Sequence, residues 1–261
     1  MLTHHFTHAI VRPPGPTFAQ GLTRFDLGRP NLALARAQWE AYCRALETCG
    51  LALTRLEPLT EFPDSTFVED TAIVTARGAI VSRPGAPSRA GEVEAIRPAL
   101  LAHFPDLAVI GTPGTLDGGD ICDADGHFLI GVSARTNPEG AAQLQAWLEA
   151  RGDTAAAIDI RDRSDILHLK SGISYLGDNR LAVIPALADH PALQRFEHVV
   201  TPPDEAYAAN CVRVNERVLI AAGFPGFEAR LTDLGYRPIV LMMSEFEKMD
   251  GGLSCLSLRI P

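Results

Sequence analysis

The chain closes on DGGLSCLSLRIP, which sets a cysteine, Cys255, behind the twin glycines Gly251 and Gly252. A thiolate is a strong nucleophile, yet cysteine is equally at home as a small buried packing residue. His168 stands in LHLKSG between two leucines, a setting that also suits a half-buried histidine with a structural partner. Two further stretches carry acids. FVED holds Glu69 and Asp70, with Asp64 just before it, and TLDGGD holds Asp117 and Asp120 around a second glycine pair, Gly118 and Gly119. Taken singly, the first also reads as a capping turn and the second as a plain acidic turn. Taken together, a thiol, an imidazole and several carboxylates suit attack on a cationic, electron-poor carbon. The thiolate attacks, and carboxylates accept the planar, bidentate hydrogen bonds of a guanidinium. The histidine protonates a departing amine and then activates water. Twin glycines allow the backbone to come close to a ligand.

These residues lie far apart in the chain, and a repeat explains how they meet. EDTAIVTARGAIVSRPG reads as strand, turn at Arg77-Gly78, strand, with a helical pattern from about Glu92 to Phe104 and a short strand LAVIG. GGDICDADGHFLIGVS repeats the hairpin, turning at Asp125-Gly126. It leads to a helix opened by Pro138 and closed by Gly152, then to the strand AAAIDI. SGISYLGDNRLAVIPA is followed by a short helical stretch from Pro191 and the strand EHVVT. AANCVRVNERVLIAAG is followed by the helix GFEARLTDLG and the strand RPIVLMM. The last strand, LSCLSLRI, can pair with the first, FTHAIVRPP, and complete a fifth unit with the helix NLALARAQWEAYCRALETCG and the strand LALTRLEP. The pattern therefore predicts an α/β chain of five strand–strand–helix–strand units, spaced like a repeat and closed into a ring by its two ends. An α+β domain with another strand order would carry the same pattern. In a ring, Cys255 falls on a strand near the central axis, and the unit openings converge on one pocket.

Composition narrows the functions available. The 261 residues are 46% hydrophobic and 21% charged, with a formal net charge of −9. That balance disfavours nucleic-acid binding, which needs clustered Lys and Arg, and suits a small cationic partner. No run of apolar residues reaches membrane-spanning length, and histidines occupy the region where a secretory signal is apolar. The cysteines Cys43, Cys49, Cys122, Cys211 and Cys255 are odd in number and lack CxxC spacing, which points to a reducing compartment. The expectation is a cytoplasmic enzyme of one domain, residues 1–261, with no metal site, as a monomer or homodimer.

FPDSTFVEDTAIV, SRPGAPSR, GTLDGGDI, GVSARTN, LHLKSG, YAANC and MSEFEKMDGGLSCLSL, in this order, resemble dimethylarginine dimethylaminohydrolase, a guanidine-modifying enzyme of the pentein superfamily. The resemblance runs from about Gly21 to Arg259. It implies a five-bladed α/β propeller (pentein) and hydrolysis of mono- or dimethylated arginine to citrulline and a methylamine, with no cofactor. It implies Cys255 as nucleophile, His168 as general acid and base, and Asp117 as the carboxylate that orients the histidine, shorter than the glutamate some members place there. Asp70 and Glu69 match acids near the guanidinium, and Phe67 the aromatic wall beside the methyl groups. Asp64 and the backbone at Leu22 and Met249 match contacts to the amino-acid portion. Arg89 and Arg135 match the pair that meets the α-carboxylate.

Three alternatives compete. An arginine deiminase shares the chemistry but carries a second carboxylate after its histidine, where HLKS has Lys170. An amidinotransferase needs an amine acceptor, and no acceptor site is legible. A non-catalytic pentein binding protein is the third.

Overall fold

The computed structural model describes residues 5–261. The chain starts with β1 (His8–Val11), α1 (Leu32–Thr48) and β2 (Ala52–Arg55). Next come β3 (Ala72–Thr75), β4 (Gly78–Val81), α2 (Glu92–Leu101) and β5 (Leu107–Val109). The third stretch is β6 (Ile121–Asp123), β7 (His127–Val132), α3 (Pro138–Glu149) and β8 (Thr154–Asp159). The strands β9 (Ile173–Gly177), β10 (Arg180–Val183) and β11 (Glu197–Val200) follow. Then come β12 (Val212–Val214), β13 (Arg217–Ala221), α4 (Pro225–Asp233) and β14 (Pro238–Leu241). A short helix, α5 (Ser244–Glu247), precedes the final strand, β15 (Ser257–Ile260).

These strands make five three-stranded sheets with one plan. In each, the inner strand runs antiparallel to the middle strand, and the middle strand runs parallel to the outer one. The last strand completes the first sheet, pairing with β1 so that His8 faces Ile260 and Val11 faces Ser257. Inner strands meet across units, β15 beside β3, β6 beside β9 and β9 beside β12. The fold is a five-bladed α/β propeller of the pentein kind. Among the described residues no helix is long and apolar enough to cross a membrane.

The local reasons are visible in the sequence. Asn31 and Asn137 cap α1 and α3, their side chains accepting from the N–H groups of Leu34 and Gly140. Along α1, Ala35, Trp39, Tyr42, Cys43 and Leu46 fall on one face and are buried. Middle strands such as GAIV and RVLIA are almost wholly buried, as strands covered on both faces must be. The hairpin turns use residues with positive φ, among them Asp125 (φ 56) and Asn215 (φ 52).

Two expectations need correction. The fourth unit has no α-helix. The short helical stretch expected from Pro191 is a single 3-10 turn, Pro191–Leu193, with the proline in its first turn, and another such turn, Pro185–Leu187, precedes it. Cys255 is not on a strand either. It sits in a 3-10 turn, Ser254–Leu256, directly before β15. The same device opens the other units, at Val68–Thr71, Gly118–Asp120, Leu169–Ser171 and Pro203–Ala209. Cys255 and Asp70 lie in these turns, and His168 and Asp117 stand directly before two of them.

Candidate active site

Turns that open neighbouring units present side chains to one pocket. Cys255 and His168 line it with Leu22, Asp64, Phe67, Asp70, Arg89, Arg135 and Met249. Cys255 is 9% exposed and His168 6% exposed, so both face the pocket from walls that exclude most water. The twin glycines let backbone and side chain close up. Gly119 donates its N–H to Asp70 Oδ1 at 2.8 Å, and a Cβ there would stand 2.8 Å from His168 Cγ. A Cβ on Gly251 would run into the Phe67 ring.

The imidazole of His168 lies among acids. Nδ1 is 3.3 Å from Asp120 Oδ2, an ion-pair distance without a well-aligned hydrogen bond, and Nε2 is 4.0 Å from Asp117 Oδ2. Burial opposes the imidazolium, but Asp120, Asp70 and Asp117 outweigh it and raise its pKa to about 9. Burial and Asp70 push Asp117 up to about 6, against the pull of His168 and Arg89. Burial also works against ionised Asp70, yet Arg89 and His168 hold it down at about 2. The Cys255 thiol is pushed up to about 12 by burial and by the negative charges of Glu69 and Asp70.

Asp120 is itself fixed by Ser133 Oγ and Thr136 Oγ1, both at 2.7 Å, and by the Leu169 N–H at 3.0 Å. Asp117 accepts from the Gly85 N–H through Oδ1, while Oδ2 lies 3.8 Å from Arg135 Nη1. Phe67 is buried against Phe18 and Phe246 and turns an apolar face to the pocket. Asp64 accepts the Leu22 N–H with both oxygens, at 3.0 and 3.2 Å, so the Leu22 carbonyl is the group that remains for a ligand. Asp70, Asp117 and His168 bring ligand atoms within 4.8 Å of one another, a spacing a divalent cation also accepts. Asp70, however, is already held by the Arg89 guanidinium at 2.5 Å.

The chain matches the arginine deiminase family over residues 54–220. It is 45% identical over 255 residues to N(G),N(G)-dimethylarginine dimethylaminohydrolase of Pseudomonas aeruginosa, covering 97% of this chain and 99% of that one. The counterpart from Streptomyces coelicolor is 36% identical, with 97% and 96% covered. The chain belongs to the dimethylarginine dimethylaminohydrolase family. Solved structures agree. A cysteine-to-serine mutant of the P. aeruginosa enzyme with citrulline superposes with a TM-score of 0.95 at 44% identity, covering 98% of this chain and all of the other. A histidine-to-glycine form of dimethylarginine dimethylaminohydrolase, as an adduct with S-methyl-L-thiocitrulline, gives 0.94 at the same identity and coverage. The N-terminal domain of ArgZ, an arginine dihydrolase, gives 0.88 at 17% identity with 97% of each chain covered, which bears on the fold alone.

Not every family residue stands where the motifs place it. Glu69 turns away from the pocket, and its carboxylate meets Lys170 Nζ at 2.5 Å, Arg259 Nη2 at 3.2 Å and Ser254 Oγ at 2.8 Å. Its neighbour Asp70 takes the pocket side because consecutive residues in the turn point in different directions. Arg89 lines the pocket with its fork already engaged, by Asp70, by both oxygens of Glu92 and by the carbonyls of Asp64 and Phe67. Arg135 is the freer cation, with a side chain 17% exposed. Asp117 stops short of hydrogen-bond range, and Asp120 stands nearer the ring. Leu167 and Asp250 also line the pocket and were not singled out. Asp250 sits inside the MDGG run at φ 55, a position legible as a turn and not as a wall of a site.

Proposed function

We propose that this protein is a dimethylargininase, hydrolysing Nω-methylated and Nω,Nω-dimethylated arginine to citrulline and the corresponding methylamine. The observation that carries the proposal is the pocket that holds Cys255 and His168 with Asp70, Phe67 and Arg135. Cys255 attacks the guanidinium carbon, forming a covalent amidine on sulfur. His168 protonates the departing amine, and the neutral imidazole then takes a proton from the water that releases citrulline. The proton inventory favours a thiolate made on binding. Burial and the nearby acids raise the thiol to about 12, and neighbouring acids raise His168 to about 9, which holds the imidazole towards its protonated form before substrate arrives. A cationic substrate beside Asp70 offsets the acids that hold the thiol neutral, and the thiol's proton leaves to solvent as the substrate binds. Arg135 binds the α-carboxylate, Arg89 holds Asp70 in place, and Phe67 flanks the methyl groups. The chain works as one catalytic unit on a cationic amino acid.

The test is to incubate the purified protein with arginine and its mono- and dimethylated forms, measuring citrulline, ammonia and dimethylamine together. Dimethylarginine should exceed arginine in kcat/KM by about tenfold to a hundredfold, since an unsubstituted nitrogen would bury an N–H beside the apolar Phe67 face. Faster ammonia release from arginine would make the protein a deiminase.

A further inference from the structure

The nucleophile and the histidine do not come from adjacent units. His168 opens the unit of β9, Cys255 opens the sheet of β1 and β15, and the unit of β12 stands between them in chain order. Glu69, from the turn before β3, ties Lys170 to Ser254, and the intervening unit supplies a second, direct tie between the two turns. Asn210, the last residue before Cys211 in YAANC, is 6% exposed and lies where the Pro203–Ala209 turn runs into β12. Its Oδ1 accepts the N–H of Ser254, the residue bonded to Cys255, at 3.0 Å. Its Nδ2 donates to the carbonyl of Lys170, two residues past His168, at 2.9 Å and to Ser254 Oγ at 3.1 Å. Both amide protons and the amide oxygen are thus used, one set on each side. The packing is as tight as the bonding, for a Cβ on Gly252 would come within 2.5 Å of Asn210 Cγ. Ser254 Oγ in turn donates to Glu69 Oε2 at 2.8 Å, so the turn of Cys255 is gripped from both neighbours.

We propose that Asn210 is a positioning residue that fixes the Cys255 thiol relative to the His168 imidazole by clasping their two turns. Aspartate cannot do this, because it lacks the donors and sets a carboxylate against the Lys170 carbonyl. Apolar residues leave a buried N–H and carbonyl unpaired. The inference rests on Cys255 as nucleophile and His168 as acid. A shift of about an ångström between reacting groups lowers rate by about a hundredfold without changing what the pocket binds.

The experiment compares Asn210→Ala and Asn210→Asp with Asn215→Ala, which removes a tie at the hairpin tip of the same unit, to Phe6 and the Cys49 carbonyl. In both Asn210 variants kcat for dimethylarginine should fall about tenfold to a hundredfold per folded molecule, with KM within about threefold. Asn215→Ala should lower Tm and leave kcat alone. An unchanged kcat in Asn210→Ala, or losses that follow Tm equally in all three variants, would overturn the proposal. Wild-type protein inert towards methylarginines would sink the dimethylargininase reading only. In that event the same variants are compared by mass-mapped iodoacetamide modification. A roughly tenfold change at Cys255 with none at Cys211 supports the clasp, and equal rates overturn it.

Discussion

Cys211 and Cys255 make a natural pair for comparison. Each is buried at the opening of an inner strand, and burial pushes each thiol up to about 12. They face opposite ends of the ring. Cys211, with Cys122 and Ser174, lines a cavity of about 590 Å³ at the wider mouth, where Glu69, Lys170 and Arg259 neutralise one another. Cys255 lines the narrow pocket with His168, which the surrounding acids raise to about 9, with Asp70, which Arg89 and His168 hold down at about 2, and with the less engaged Arg135. The difference teaches that burial and the direction of the pKa shift do not separate the two thiols. What separates them is the company each keeps, His168, Asp70 and Arg135 around Cys255 and none of these around Cys211.

The sharpest way to break the comparison is to exchange each thiol for a hydroxyl. Cys255→Ser should lose at least about a thousandfold in turnover while keeping its Tm, because the covalent route itself is removed. Cys211→Ser should keep kcat within about twofold. Comparable losses in both would mean that the ring's two ends are not functionally distinct. Next in size is Asp117→Asn, with kcat expected to fall about tenfold to a hundredfold. Asp117 helps hold the imidazolium, so neutralising it lowers the His168 pKa from about 9. Because the acid is lost as pH rises through that value, the alkaline limb of the rate profile should move to lower pH. An unmoved limb would assign the histidine's environment to Asp120 and Asp70 alone.

Arg135→Ala should raise KM about tenfold and change kcat little, since its contact to a carboxylate exists in ground and transition states alike. An unchanged KM would return Arg135 to a structural part beside Asp117. The smallest effect belongs to the far mouth. Lys170→Met should alter the ratio of dimethylarginine to arginine turnover by less than about twofold, because Lys170 pairs with Glu69 outside the pocket. A larger change in the ratio would bring Lys170 back into specificity.

Much of this was written in one dimension. Hairpin turns at Asp125 and Asn215, capped helices after Asn31 and Asn137, and strands of alternating or continuous apolar residues set the five units, because these signals act over a few residues. Cys255, His168, Asp70 and Arg135 were legible as chemistry through their motifs. The fourth unit's lost helix was not, since two prolines close together suit a helix start as well as a pair of tight turns.

Other assignments required the ring. Glu69 and Asp70 are neighbours in FVED, yet one faces the wide cavity and the other the pocket, a choice made by the direction of a 3-10 turn and by Lys170 and Arg259 arriving from other units. The resemblance makes Arg89 a ligand clamp, and the folded chain places it in the pocket wall with its fork also engaging Asp70 and Glu92. Asn210 and Asp120 gain their parts only because turns 49 or 44 residues away come within hydrogen-bond range. The sequence by itself determined which residues stand at each unit opening, for local pattern and turn chemistry decide that. Only the tertiary structure decided which way each of them faces, because facing depends on partners that closure of the ring brings near.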